Sequence, residues 1–242
     1  MKKIIFSFLL LSTALACNNS KNASDEGASK PKDQTMNYIA LGDSYTIGEG
    51  LGKDGIWPYL LYKELKSKGF NLNQPKIIAR TGWRTDELMQ AIKHENLSSK
   101  FELVSLLIGV NNQYQGKSIE DYKSDLITLL ETSISLSENG KEGVFMLSIP
   151  DYGVTPFAKS KGLKNVSEEI DNYNKIAKEL ATQFGVLYFD ITDISRTAAE
   201  DKSMLTEDML HPSAKMYKKW VDAISNQVVE KLLLDQGYKA SK

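Results

Sequence analysis

The sequence contains very little cysteine and histidine. Among its 242 residues there is one cysteine, Cys17, and there are two histidines, His94 and His211. Because Cys17 lies near the N-terminus, the body of the chain can form neither a disulfide nor a cysteine-based metal site, and it offers no thiol nucleophile. Two histidines are also too few for a histidine-rich metal centre. No motif implies a metal or another cofactor, and we therefore expect none.

The sequence also lacks an excess of charge of either sign. It has 30 Lys and Arg residues against 31 Asp and Glu residues, which gives a formal net charge of −1. Proteins that bind nucleic acid usually carry a basic excess or a basic patch, so we expect no nucleic-acid partner. Hydrophobic residues make up 41% of the chain, enough for a substantial core. The composition favours a globular domain and is compatible with an enzyme.

The N-terminal segment 1–16 has the features of an export signal. A short basic start is followed by an apolar run over residues 4–11 and then by small residues. Cleavage after Ala16 would release a free periplasmic or secreted protein. The same residues also resemble a lipobox, in which Cys17 is lipidated and becomes the new N-terminus. The position of the chain's single cysteine favours the second interpretation, which predicts an exported protein anchored to the cell envelope by its lipid.

A polar stretch follows this signal. Residues 17–35 are rich in Asn, Ser, Lys, Asp and Gly and contain almost no large apolar side chain. Such a segment cannot bury enough surface to order itself, so we predict a flexible tether that starts at Cys17. Residues 36–238 show no internal repeat and no second linker, and we interpret them as one domain.

Within this domain, short apolar runs alternate with segments of helical periodicity. Strands are predicted over 38–41, 76–80, 103–108, 144–149 and 186–189, and helices over 57–66, 85–94, 119–136, 166–184 and 214–234. Alternating strands and helices build right-handed βαβ units around a parallel sheet. We therefore predict an α/β fold, a three-layer αβα sandwich with a central, mostly parallel five-stranded sheet. Ligands of such folds bind at the carboxyl ends of the strands.

Four short motifs follow predicted strands or precede the last helix. They are Gly42-Asp43-Ser44-Tyr45-Thr46, Thr81-Gly82-Trp83-Arg84, Gly109-Val110-Asn111-Asn112 and Asp208-Met209-Leu210-His211-Pro212. Each is weak alone, but their order and positions together resemble the SGNH (GDSL-type) hydrolase family of esterases and lipases. The resemblance extends from about Met36 to the last helix. It implies a flavodoxin-like fold and hydrolysis of carboxylic esters.

The resemblance also assigns roles. Ester hydrolysis needs a nucleophile, a base that takes its proton, and donors that stabilise the resulting oxyanion. Ser44 corresponds to the nucleophile, His211 to the general base and Asp208 to the carboxylate that orients the imidazole. The backbone N–H groups of Ser44 and Gly82 and the side-chain amide of Asn111 correspond to the oxyanion donors. Histidine suits this task because imidazole exchanges protons near neutral pH.

The sequence departs from the family pattern after the third strand. The family usually has Gly-x-Asn-Asp there, and this chain has Asn112 in place of the aspartate. Asn111, the expected donor, is retained. The departure therefore concerns the contacts that hold Asn111 in place, and the effect of Asn112 on them is left open by the sequence. The other histidine, His94, falls on the polar side of its helix, and we expect it at the surface.

The substrate is less closely defined by the sequence. Several aromatic residues lie on or near the loops beyond the strand ends: Tyr45, Trp57, Trp83, Tyr114, Tyr152 and Phe157. In that place they would line an acyl groove, stack on sugar rings or simply pack against the protein. Short-chain or O-acetyl carbohydrate esters are favoured for a tethered surface protein. A lysophospholipid or other lipid ester is the alternative, and a catalytically silent glycan-binding lipoprotein is the non-enzymatic one. The acyl-chain length, the membrane that carries the anchor and the oligomeric state are not determined.

Overall fold

Five parallel strands form a single sheet. The computed structural model describes residues 33–240; the predicted signal peptide, Cys17 and all but the last three residues of the predicted tether lie outside the described residues. The strands are β1 (Tyr38–Asp43), β2 (Lys76–Arg80), β3 (Leu103–Leu107), β4 (Val144–Leu147) and β5 (Leu187–Phe189). Their order in the sheet is β2-β1-β3-β4-β5, and every pairing is parallel. This order is that of flavodoxin-like folds, which confirms the predicted fold class.

Helices cover the sheet. They are α1 (Ser44–Ile47), α2 (Trp57–Ser67), α3 (Thr85–His94), α4 (Val110–Tyr114), α5 (Ile119–Leu136), α6 (Pro156–Ser160), α7 (Val166–Phe184), α8 (Thr192–Arg196) and α9 (Ala214–Gln227). Two groups of long helices pack among themselves, α2 with α9, and α5 with both α3 and α7. All residues of β1, β3 and β4 are buried, as expected for central strands of a parallel sheet covered on both faces. No helix within residues 33–240 combines the length and hydrophobicity needed to cross a bilayer.

The element boundaries differ from the predicted ones in two informative places. The first strand continues past the predicted end, because Gly42 and Asp43 still pair with Ala79 and Arg80 of β2. The last predicted helix is α-helical only to Gln227 and continues as a π-helix over Val228–Leu234. Its wider turns bury Val228, Leu232 and Leu233, a spacing that hydrophobic periodicity does not separate from that of an α-helix.

One glycine is required by close packing beside the sheet. Gly109 ends the segment after β3 with φ +125°, a conformation that side chains of L residues rarely adopt. A Cβ atom at this position would lie 2.5 Å from the ring of Tyr122. Gly109 therefore allows the chain to leave β3 sharply and to begin α4 directly above the strand.

Candidate active site

The candidate site lies where the strand order of the sheet reverses. β1 and β3 are neighbours in the sheet, although β2 lies between them in the sequence. The chain leaves β1 into α1 and leaves β3 toward α4, so Ser44 and Asn111 lie above adjacent carboxyl ends. Such a switch point is the usual ligand site of open α/β sheets.

Ser44 is the first residue of α1, and Asp43 caps that helix. The Asp43 Oδ1 atom accepts a hydrogen bond of 3.0 Å from the backbone N–H of Tyr45. The Asp43 side chain is completely buried, and its Oδ2 atom has no hydrogen-bond partner among the described residues. Burial raises the pKa of Asp43 to about 7, although the bond from Tyr45 opposes the shift. The turn that presents Ser44 therefore contains a carboxyl group that is costly to ionise.

His211 links Ser44 to Asp208. Its Nε2 atom lies 3.0 Å from the Ser44 hydroxyl oxygen, and its Nδ1 atom lies 2.6 Å from the Asp208 Oδ2 atom. A carboxylate at Nδ1 favours the tautomer that carries its proton on that nitrogen, which leaves Nε2 free to accept the serine proton. His211 and Ser44 are both buried, so the contact between them is largely shielded from bulk water.

The loop after Thr206 holds Asp208 in place. The Asp208 Oδ1 atom accepts hydrogen bonds from the Thr206 hydroxyl at 2.7 Å and from the backbone N–H groups of Leu210 and His211 at 2.8 and 2.9 Å. Partial burial raises the pKa of Asp208, but hydrogen bonds from the side chain and backbone of His211 and from the other donors outweigh it and lower the pKa to about 2. Asp208 is therefore a carboxylate throughout the neutral range.

The three candidate oxyanion donors line one cavity together with His211. Ser44, Gly82 and Asn111 all contribute to its wall. The Asn111 Nδ2 group donates to the Trp83 carbonyl at 3.0 Å, and its second N–H remains available to a ligand. Gly82 has φ +82°, which turns the backbone between Thr81 and Trp83. The structure thus brings the nucleophile, the base and the donors predicted from the sequence to one cavity of about 220 Å³, with Asp208 behind His211.

The aromatic residues singled out in the sequence divide into two groups. Four of them line the cavity, namely Tyr45, Tyr114, Tyr152 and Phe157. Trp57 does not, because its side chain is completely buried in the core and packs edge-on against Phe145 with ring centroids 6.4 Å apart. Trp83 contributes to the site through its carbonyl group. His94 is exposed at the end of α3, as predicted.

Two polar residues join the two loops of the site; sequence reasoning missed Gln115, and it noted Asn112 only as a departure from the family pattern. Gln115 donates from Nε2 to the Gly82 carbonyl at 3.1 Å and accepts from Arg84 Nη1 at 2.8 Å. Asn112 bonds both the backbone N–H and the hydroxyl of Thr85. The sequence signal was a run of amide side chains over residues 111–115, broken only by Tyr114. These bonds hold the Gly82 and Asn111 segments in a fixed relation.

The site also lacks a metal-binding arrangement within the described residues. No group of three or more His, Cys, Asp or Glu side chains in residues 33–240 is placed to hold a metal ion. The polar groups described above that line the cavity belong to Ser44, Gly82, Asn111 and His211, and the Asp208 carboxylate lies behind the imidazole.

Solved structures with the same fold include several esterases. The chain is similar to TesA, with 18% identity, a TM-score of 0.63 and coverage of 83% of this chain and 100% of that one. It is also similar to Axe2, an acetylxylan esterase from Geobacillus stearothermophilus, with 16% identity, a TM-score of 0.61 and coverage of 86% and 96%. A member of the lipolytic protein G-D-S-L family from Veillonella parvula gives 15% identity, a TM-score of 0.64 and coverage of 79% and 97%.

These identities are low, so the structural likeness by itself establishes the fold. A comparison with curated proteins finds no match. A sequence model of the GDSL-like lipase/acylhydrolase family matches residues 40–219, about three quarters of the chain, and spans Ser44, Gly82, Asn111, Asp208 and His211. The chain belongs to the GDSL-like lipase/acylhydrolase family.

Proposed function

We propose that this protein is a serine esterase that hydrolyses carboxylic esters through an acyl-enzyme on Ser44. The observation that carries the proposal is the continuous contact from the Ser44 hydroxyl through His211 to the Asp208 carboxylate, with atomic separations of 3.0 and 2.6 Å. A serine hydroxyl is a weak nucleophile, and an adjacent oriented base is what activates it. Membership of an acylhydrolase family and the similarity to known esterases support the same chemistry.

The arrangement supports a two-step reaction. In the first step the Ser44 oxygen bonds to the ester carbonyl carbon while the His211 Nε2 atom takes the hydroxyl proton. The negative charge moves to the carbonyl oxygen, facing the N–H groups of Ser44, Gly82 and Asn111. The bond to the alcohol oxygen then breaks, and His211 returns its proton to the departing alcohol.

The second step repeats this chemistry with water. His211 takes a proton from a water molecule, whose oxygen bonds to the acyl carbon. The bond between that carbon and the Ser44 oxygen then breaks, the carboxylic acid leaves, and Ser44 regains its proton from His211. His211 can take up and return a proton in both steps because Asp208 stabilises the imidazolium that forms in each.

Hydrolysis of p-nitrophenyl acetate by the purified full chain tests this proposal. Ser44→Ala and His211→Ala are expected to lower kcat by about 10³-fold or more, since the members of such a triad act as a unit. His94→Ala is the matched control, because His94 is exposed and does not line the cavity. Equal inactivity of the parent and of all variants on short and long esters would overturn the proposal and favour a glycan-binding lipoprotein.

We also propose that the protein is exported and anchored to the cell envelope through lipidated Cys17. The support lies in the sequence of residues 1–17, which has a basic start, an apolar run and a lipobox-like ending at the chain's single cysteine. Cys17→Ser is expected to move the protein from the membrane fraction to the soluble fraction of the expressing cells. A parent protein that is already in the soluble fraction would contradict lipid anchoring and favour simple cleavage after Ala16.

A further inference from the structure

The cavity beside Ser44 has a wall that takes no part in the proposed reaction. Apart from Ser44, Gly82, Asn111 and His211, the cavity is lined by Tyr45, Thr81, Val110, Tyr114, Tyr152, Phe157 and Leu210. None of these side chains is charged at neutral pH, and all but Thr81 are aromatic or aliphatic. The part of a ligand that occupies this wall therefore meets mainly apolar surface.

Two of the four hydroxyl groups in the wall, those of Thr81 and Tyr152, already have hydrogen-bond partners outside it. The Thr81 hydroxyl donates to the Glu49 carboxylate. The Tyr152 hydroxyl donates to Gln113 Oε1 at 2.7 Å, and burial raises the pKa of Tyr152 to about 12, although the bond with Gln113 opposes the shift. A sugar ring in this place would lose hydrogen bonds to water and find few partners for its hydroxyls, which carries a free-energy cost. The wall is thus poorly suited to a carbohydrate.

The aromatic rings of the wall also fail to form a flat slot. The Tyr114 and Tyr152 rings are 6.0 Å apart with an angle of 75° between their planes, and the Tyr114 and Phe157 rings are 6.4 Å apart at 48°. Rings inclined in this way present faces and edges in several directions rather than two parallel faces. Such a surface suits a flexible aliphatic chain better than a planar ring held by stacking.

The wall begins next to the proposed oxyanion donor and has a modest size. Tyr114 lies three residues after Asn111 on α4, and this spacing places both side chains on the same side of the helix. A carbonyl group at Asn111 thus has Tyr114 close to it. The whole cavity of about 220 Å³ is smaller than the roughly 300–1,000 Å³ of pockets for drug-sized ligands.

We propose that the acyl group of the substrate is an unbranched aliphatic chain between butanoyl and octanoyl, held against Tyr114, Tyr152, Phe157 and Leu210. This assignment rests on the proposed function of the same site. It places the acyl chain on the apolar wall and directs the leaving alcohol toward His211 and solvent. An O-acetyl carbohydrate ester would leave most of this wall unfilled, which makes it the poorer substrate.

Two series of esters test which part of the substrate the wall recognises. We expect kcat/KM for p-nitrophenyl hexanoate to exceed that for the acetate about tenfold or more, because an additional methylene in an apolar pocket already changes kcat/KM by about 10- to 200-fold. Alkyl acetates with increasingly long alcohols should show a much flatter profile. A preference confined to the alcohol series, or an acetate rate equal to the hexanoate rate, would overturn the proposal.

Substitutions in the wall make the test specific. Tyr114→Ala is expected to reduce the hexanoate-to-acetate ratio about fivefold or more; Tyr114 is half exposed, so its loss removes little from the core. Tyr59→Ala is the matched control, because Tyr59 packs against Tyr62 on α2 and does not line the cavity. An unchanged ratio in Tyr114→Ala would contradict the role of the wall.

A binding measurement separates failure of this assignment from failure of the proposed function. In the Ser44→Ala full chain, octanoate should raise Tm in a concentration-dependent way while acetate does not, and the additional change Tyr114→Ala should weaken this effect. If octanoate stabilised the protein but the parent hydrolysed no ester, the proposed acyl site would stand and the proposed esterase function would be overturned. If the parent hydrolysed p-nitrophenyl acetate but octanoate did not stabilise the protein, the proposed acyl site would be overturned and the esterase function would stand.

Discussion

Asn112 forms two hydrogen bonds with Thr85, the first residue of α3. Its Oδ1 atom accepts the Thr85 backbone N–H at 3.1 Å, and its Nδ2 group donates to the Thr85 hydroxyl at 2.7 Å. The Thr85 hydroxyl in turn donates to Asp125 Oδ2 at 2.7 Å. Because a hydroxyl has one proton to donate, Thr85 needs a donor at position 112. This explains why an amide can replace the carboxylate that the family usually has here.

The first prediction concerns the hydrogen bond between Asn112 and the Thr85 hydroxyl, in which residue 112 donates as an amide and would have to accept as a carboxylate. Asn112→Asp is expected to lower the free energy of unfolding by about 1–3 kcal/mol, because it places a buried acceptor against a hydroxyl whose proton is already used. Asp125→Asn in the same chain should recover part of that loss, since the new amide donates to Thr85 and frees the hydroxyl proton for the carboxylate introduced at position 112. Urea unfolding of the two single variants and the double variant measures the coupling, and simple additivity would contradict it.

The second prediction concerns Gln115 as a positioning residue. Its bond to the Gly82 carbonyl fixes the peptide that precedes Trp83, while its Oε1 atom accepts from Arg84. Gln115→Glu keeps an acceptor for Arg84 but cannot donate to Gly82. Both Gln115→Ala and Gln115→Glu should lower kcat for ester hydrolysis by up to about a hundredfold, with a much smaller change in KM, because small displacements of a donor are costly.

A measurement of kcat, KM and Tm for these two variants distinguishes this role from a purely structural one. Gln115 is exposed, so its substitution should leave Tm nearly unchanged. Full activity of Gln115→Glu beside an impaired Gln115→Ala would show that only the contact with Arg84 matters. Equal, full activity of both would remove Gln115 from the site.

The fold could be predicted from the sequence because its signals are local. The buried runs of β3 and β4 and the amphipathic helices α5 and α7 lie at the predicted positions to within about two residues. The π-helical end of the chain was not predictable, since its buried residues also fit α-helical periodicity. Trp57 shows a further limit, because proximity to a loop in the sequence does not reveal that a side chain turns into the core.

The site was predictable only where a motif marks it. Ser44, His211 and Asp208 stand in recognisable motifs, and the structure brings them within hydrogen-bonding distance. The contacts of Gln115 and Asn112 depend on how residues 111–115 lie beside residues 82–85, which no spacing within either segment encodes. The structure therefore adds the residues that hold the reacting groups in place.

The third prediction concerns the pH dependence of stability. Burial raises the pKa of Asp43 to about 7, whereas that of an unfolded aspartate lies near 3.8. The folded chain therefore binds a proton between these values that the unfolded chain releases, so the free energy of unfolding falls as pH rises through this window. Above about pH 5 Asp208 does not contribute, because it is ionised both in the folded chain, where its pKa is about 2, and in the unfolded chain, where its pKa lies near 3.8.

Asp43→Asn removes this titration and keeps an oxygen that can accept from the Tyr45 N–H. The parent should lose up to a few kcal/mol between about pH 5 and about pH 8, and the variant clearly less, since one pKa unit corresponds to about 1.4 kcal/mol. Urea unfolding at the two pH values measures both losses. An equal loss in parent and variant would mean that Asp43 does not titrate in this range.

The fourth prediction separates the catalytic and structural roles of Asp208. In Asp208→Asn the amide oxygen can still accept from the backbone N–H groups of Leu210 and His211, so the turn should persist. The amide nitrogen would face His211 Nδ1 and favour the tautomer with its proton on Nε2, which cannot accept a proton from Ser44. The corresponding change in serine proteases lowers kcat about 10⁴-fold, and we expect a loss of similar order here.

Asp208→Ala provides the comparison for this variant, because it removes the acceptor for both backbone groups together with the partner of the imidazole. Its Tm should fall below that of Asp208→Asn, while kcat is low in both. Steady-state kinetics of the two variants measures kcat, and thermal unfolding measures Tm. If Asp208→Asn hydrolysed esters at the parent rate, Asp208 would serve only to fold the turn, and orientation of His211 would have to come from the hydrogen bonds of the surrounding loop.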